Sequence, residues 1–129
     1  RIQFQKPFVL HPNQLVLAST LEYIKLPETI AAYVIGRSSW GRLGLVIATA
    51  SAVAPGFRGC VTLELANLGE VPLVLYPGVR IAQLVFHDTV GSAEYNGRYP
   101  CPTGPQFSRI YEDPELEFWC PPLGGGERT

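Results

Sequence analysis

The stretch Arg37-Ser38-Ser39-Trp40-Gly41-Arg42 sets two guanidinium groups and two hydroxyls within six positions. Such a set suits a polyanion. An arginine fork takes phosphate oxygens in pairs, and serine hydroxyls with adjacent backbone N–H groups complete a cradle. A short helix opening at Ser38 or Ser39 would aim its first amides at the same ligand. Arg42, three or four residues on, would share that face. A plainer reading also fits: a serine caps a helix and both arginines are solvated. The second candidate is Glu64. It lies in an alternating run, with Val61, Leu63 and Leu65 on one face and Thr62, Glu64 and Ala66 on the other. There it is either an ordinary solvent-facing carboxylate or a proton-transfer group.

These residues need a frame. Twelve prolines and thirteen glycines cut the chain into short pieces whose hydrophobic period is mostly two. Strands are expected within Leu15–Leu26 and over Ile30–Ile35, Leu45–Ala48, Cys60–Asn67 and Arg80–His87. Ala54–Gly59 and Pro77-Gly78 read as turns. Asn67–Glu70 reads as a hairpin loop, with Val71–Tyr76 returning beside the strand before it. Many short strands with turn residues between them predict an all-β barrel or sandwich. The one helix expected in the core is a short turn from about Ser39 to Leu43. From about Thr89 the composition shifts toward Gly, Pro and small polar residues, which reads as an extended arm. Pro121–Thr129 reads as a frayed end. Tyr99, Phe107, Tyr111, Phe118 and Trp119 within that arm need a surface to pack on.

The 129 residues suffice for one domain with its own core, and 47% hydrophobic against 16% charged residues makes the chain globular. A net charge of -1 with no basic run argues against nucleic acid as the partner, so any attraction for phosphate is local. Cys60, Cys101 and Cys120 form no CxxC pair, which fits a reducing, cytoplasmic setting. No apolar run is long enough to span a bilayer. The chain lacks methionine and starts at Arg1, as an internal or processed fragment would.

Taken in order, the pieces GRSSWGRLGL, APGFRG, VTLELAN, PGVRIAQLVF and RYPCPTGPQFSR resemble the dCTP deaminase family, the deaminase branch of the dUTPase-like superfamily. The resemblance runs from about residue 8 to residue 112, and the family's amino-terminal section is missing. It implies a distorted jelly-roll-like β-barrel forming a homotrimer, with active sites at subunit interfaces. It also divides the chain into a β domain over 1–112, with a closing arm from about 89, and a C-terminal tail over 113–129.

The same resemblance assigns roles. Glu64 matches the general base for attack of water at C4 of cytosine. Ser38 matches a serine that helps hold that water, and Arg42 an arginine that supports the catalytic centre from an adjacent subunit. Arg37, Ser38, Ser39 and Arg42 together match the triphosphate and reaction-centre positions. Gln83 matches a glutamine that contacts phosphate, though alone it reads as a strand-surface amide. Phe57 matches an aromatic lying under the deoxyribose, though alone it reads equally as core. Tyr99 and Gly104–Arg109 match a tail that folds over the nucleotide. Ala54 stands where the family usually has an aspartate that dUTPases also need, which argues against plain dUTPase activity.

The expected reaction is therefore deamination of dCTP to dUTP and ammonia. The alternatives are a dUTP pyrophosphatase, a bifunctional deaminase and dUTPase, or a non-catalytic nucleotide-sensing module of a longer protein. No zinc is expected, because His11 and His87 lack the HxE and PCxxC company that zinc deaminases require. The expected metal is magnesium carried on the triphosphate.

Overall fold

A computed structural model describes residues 2–48, 50–92 and 95–119; Thr49, Cys120 and the Pro121–Thr129 end lie outside the described residues. Among the described residues eight strands form three small sheets. Strand β1 (Phe8–Leu10) pairs antiparallel with β7 (Leu73–Leu75). Strand β6 (Arg58–Asn67) lies between β2 (Leu15–Lys25) and β4 (Leu45–Ile47). Strand β3 (Ile30–Gly36) lies between β5 (Ala52–Val53) and β8 (Ala82–Asp88). All three sheets send side chains into one buried cluster, among them Leu10, Ala32, Val34, Leu63, Leu65 and Leu73. The chain has the expected all-β fold.

The alternation along β6 holds. Val61, Leu63 and Leu65 are buried, while Thr62, Glu64 and Ala66 face away from the core and are half-buried. The β2–β6 ladder runs from Leu15↔Ala66 to Ser19↔Thr62, breaks, and resumes at Tyr23↔Cys60. Within the break Thr20 replaces the ladder with its side chain: Oγ1 accepts the Val61 N–H at 2.9 Å. The extra residues let β2 bend around the core without stranding a buried donor.

Two elements depart from the sequence expectation. The chain after Asn67 does not return beside β6. Leu73–Leu75 pairs with β1 instead, in the register Leu10↔Leu73. The cause is Asn67, which is 0% exposed. Its Nδ2 donates to the carbonyls of Leu10 (3.0 Å) and Val71 (2.8 Å), and its Oδ1 accepts the Gly69 N–H (2.9 Å). One side chain thus draws β1 and the start of the 71–76 segment to the end of β6. Beside it Gly44 has φ +96, and a Cβ there would stand 2.5 Å from the Gly69 backbone nitrogen. Only glycine permits that approach.

The second departure lies in the arm. A 3-10 turn (Ile110–Glu112) and a short helix α2 (Pro114–Trp119) follow the extended part. Asp113 precedes Pro114 and its Oδ1 accepts the Glu115 N–H at 3.1 Å, so it caps this helix. Among the described residues no helix is long and apolar enough to cross a membrane.

Candidate active site

Glu64 sits near the middle of β6, opposite Leu17 of β2. Its backbone carbonyl accepts the Ala48 N–H at 2.8 Å, which joins the strand to the chain leaving β4. The outward face of β6 forms the floor of a cleft of about 690 Å³. Leu15, Leu17, Val53, Ala54 and Phe57 line it, together with Tyr99, Gln106 and Phe107 of the arm. That volume lies within the usual range for small-molecule sites, about 300–1,000 Å³. Walls of apolar groups around a few polar ones (Thr62, Glu64, Tyr99, Gln106, Ser108) have the composition of a binding site.

The arm is fastened to this floor. Cys60 N–H donates to the Pro102 carbonyl at 2.7 Å, and the Gln106 N–H donates to Thr62 Oγ1 at 3.1 Å. Gly59 makes the first contact possible. It has φ +142, and a Cβ there would stand 2.5 Å from Pro102 Cδ. Further along, Tyr99 OH accepts the Arg109 N–H at 3.1 Å, and Arg109 Nη1 donates to the Arg98 carbonyl at 2.8 Å. Two ion pairs, Arg98–Asp113 at 2.5 Å and Arg109–Glu112 at 2.8 Å, brace the arm against itself. The hydrogen bond from Arg98 holds the Asp113 carboxyl below the ordinary aspartate range, and the Glu115 N–H adds to that effect.

The arm's aromatic residues divide. Tyr95 packs edge-on against Phe57, with ring centroids 5.5 Å apart. Phe107 and Tyr111 remain 82% and 72% exposed. The side chains of Phe118 and Trp119, also expected to pack, lie outside the described residues.

The remaining sequence candidates gather elsewhere. Helix α1 (Ser38–Gly41) begins after Arg37, which is its N-cap but makes no side-chain capping bond. Arg37 N–H donates to the Ile81 carbonyl at 3.1 Å and its Nη1 to the Arg80 carbonyl at 2.9 Å. Gln83 pairs with Ile35, next to the Gly36↔Ala82 pair that ends the ladder, so Gln83 and the start of α1 lie on one edge. Arg37, Ser38, Ser39, Arg42 and Gln83 are all exposed. None of them lines the cleft that holds Glu64.

A single chain therefore carries two partial constellations. One is a carboxylate in an apolar cleft lined in part by the arm. The other is a cationic, hydroxyl-bearing edge. Phe57 lines the first and is also part of the core, 9% exposed, as the plainer of its two sequence readings expects. Thr62 and Gln106 line the same cleft. Thr62 was given no role from sequence, though the alternation that placed Glu64 outward placed it there too; Gln106 lies in the Gly104–Arg109 run that the resemblance folds over the nucleotide. Among the described residues no three His, Cys, Asp or Glu side chains stand close enough together to hold a metal ion.

The sequence profile of the dCTP deaminase-like family matches residues 1–89. Curated relatives include a protein of Methanosphaera stadtmanae named dCTP deaminase, dUMP-forming, 44% identical over 120 residues, covering 87% of this chain and 61% of that protein. One of Nocardioides with the same name is 50% identical over 116 residues, covering 84% of this chain and 61% of that protein. The chain thus spans less than two thirds of the length of these relatives. Among solved structures, native EIAV dUTPase superposes with a TM-score of 0.60 at 20% identity, covering 73% of this chain and 78% of that one. The 2'-deoxycytidine 5'-triphosphate deaminase of Agrobacterium tumefaciens gives 0.61 at 22% identity, covering 68% of this chain and 27% of that one.

Proposed function

From the premise that the chain belongs to the dCTP deaminase-like family, we propose that it deaminates dCTP hydrolytically, with Glu64 as general base in a site shared between neighbouring copies. The observation that carries this reading is the division of the site. Glu64 lies in a cleft that no arginine lines among the described residues, while Arg37, Ser38, Ser39, Arg42 and Gln83 are exposed on another edge. A triphosphate carries several negative charges and needs guanidinium groups. A second copy that lays its α1 edge across the first copy's cleft supplies them. Closed symmetry then repeats the site at every interface, and a homotrimer yields three sites.

In this reading Glu64 takes a proton from water as the water oxygen attacks C4 of cytosine. The same carboxyl gives that proton to the ring nitrogen, then carries the proton of the new C4 hydroxyl to the departing amino group. The C4–N bond breaks, ammonia leaves, and dUTP remains. Ser38 and Arg42 of the neighbouring copy hold the attacking water and support the charge that develops around it. Arg37, Ser39 and Gln83 bind the triphosphate, and Phe57 packs under the deoxyribose. Tyr99 and the arm exclude bulk water, which strengthens each polar contact. Magnesium arrives on the triphosphate and is held by phosphate oxygens and water.

The names of the relatives favour a second reading, in which dUTP goes on to dUMP and pyrophosphate. Ala54 bears on it, because it puts a methyl group in the cleft where the family usually has an aspartate. Incubation with dCTP and with dUTP, followed by assay of ammonia and pyrophosphate, separates the cases. Ammonia alone supports deamination, and both products from dCTP support the longer reaction. Thermal stabilisation by nucleotide without either product would contradict both and leave a binding module.

A further inference from the structure

We infer that Gln106 selects cytosine over uracil nucleotides, an inference that rests on the proposed reaction. The outward face of β6 carries Thr62 and Glu64 two residues apart, about 7 Å along the strand. Thr62 Oγ1 is bound to the Gln106 backbone N–H at 3.1 Å. The arm residue is therefore registered against the strand at a distance from the carboxylate that one pyrimidine ring with its attacking water would fill. The Gln106 side chain is half-buried and lines the cleft. Its Nε2 donates to the Gly104 carbonyl at 3.1 Å, which fixes the amide's orientation. Among the described residues its Oε1 receives no hydrogen bond, and no buried polar side-chain atom is left unsatisfied, so Oε1 is a solvent-accessible acceptor on a side chain that lines the cleft.

A fixed acceptor discriminates between the two bases. Cytosine offers an N4–H donor at the position where uracil offers the O4 acceptor. An anchored Oε1 pairs with the first and repels the second. The same contact favours substrate entry and product departure. Thr62 is a positioning residue in this scheme, because it acts only through the arm.

The test uses the full chain and three readouts: KM for dCTP from ammonia release, and inhibition constants for dUTP and for inorganic tripolyphosphate. Gln106→Leu is expected to raise KM for dCTP about tenfold, the loss of one hydrogen bond. It should leave the dUTP constant equal or lower and the tripolyphosphate constant unchanged. Thr62→Val should reproduce this pattern, and Thr62→Ser should restore the parent values. Equal weakening toward all three ligands, or an unchanged preference for dCTP over dUTP, overturns the inference. An inert parent sinks the proposed reaction instead. In that case calorimetric binding of dCTP and dUTP to parent and Gln106→Leu still decides the role of Gln106: a preference that survives the substitution refutes it.

Discussion

Gly59→Ala tests how the arm is held over the cleft. The new methyl group would stand 2.5 Å from Pro102 Cδ, 2.7 Å from its carbonyl oxygen and 2.8 Å from Cγ. Two of these atoms belong to a proline ring, which cannot rotate aside, so the arm backbone must move. The residue also sits at φ +142, where a side chain costs about 1–3 kcal/mol. Moving Pro102 breaks the 2.7 Å bond from Cys60 N–H, worth about 0.5–1.5 kcal/mol. Together these terms come to about 1.5–4.5 kcal/mol, or a fall in Tm of roughly 10 °C for a chain of this size. Thermal unfolding gives the magnitude, and hydrogen exchange at the Cys60 amide gives the location. That amide should lose protection while those of Leu63 and Leu65 keep theirs. Ammonia release should fall with it, since an open arm admits water to the cleft. A variant with parental Tm and a protected Cys60 amide would refute the attachment described here.

Other expectations follow from the same geometry. Asn67→Ala leaves two carbonyls and one N–H without their partner and should cost about 3–5 kcal/mol in denaturant unfolding. Leu63→Ala removes a side chain that is 5% exposed in the core and should cost about 2–5 kcal/mol in the same measurement. Asp113 is held below its ordinary range by Arg98, so the ion pair's contribution is full above the ordinary aspartate pKa and is lost as pH falls through the lowered value. Limited proteolysis should therefore release the 98–113 segment in acid but not at neutral pH. Asp113→Asn should make release pH-independent over that window, since Asp113 is the titrating partner of Arg98.

The residues that were legible in the sequence share one property: their placement follows from local pattern. The period of two along Cys60–Asn67 predicted the faces of Leu63 and Glu64, and the structure shows both. The Pro-Gly turn before Phe57 and the short helix after Gly36 are likewise local signals, and α1 begins within a residue of its expected start. The partner of Leu73–Leu75 was not legible. It depends on which carbonyls the Asn67 amide reaches, a contact spanning 57 positions to Leu10. The separation of Arg37 and Arg42 from the Glu64 cleft followed from the family resemblance, which has Arg42 act from an adjacent subunit, and not from motif order, which says nothing of which edge each motif occupies. Gln106 was legible only as part of the Gly104–Arg109 run. A lone glutamine in a Pro- and Gly-rich arm has no periodicity, and its bond to Thr62 gives it its place.

Mixing two inactive variants tests the shared site most directly. Glu64→Gln removes the base from the cleft, and Arg42→Ala removes the guanidinium from the exposed edge. Each alone should release no ammonia from dCTP. If each site takes its glutamate from one copy and its arginine from the next, random reassembly of equal amounts restores an intact pair at about one site in four. The mixture should then recover about a quarter of parental ammonia release. No recovery after proven subunit exchange would place both residues in one chain's site and contradict the account.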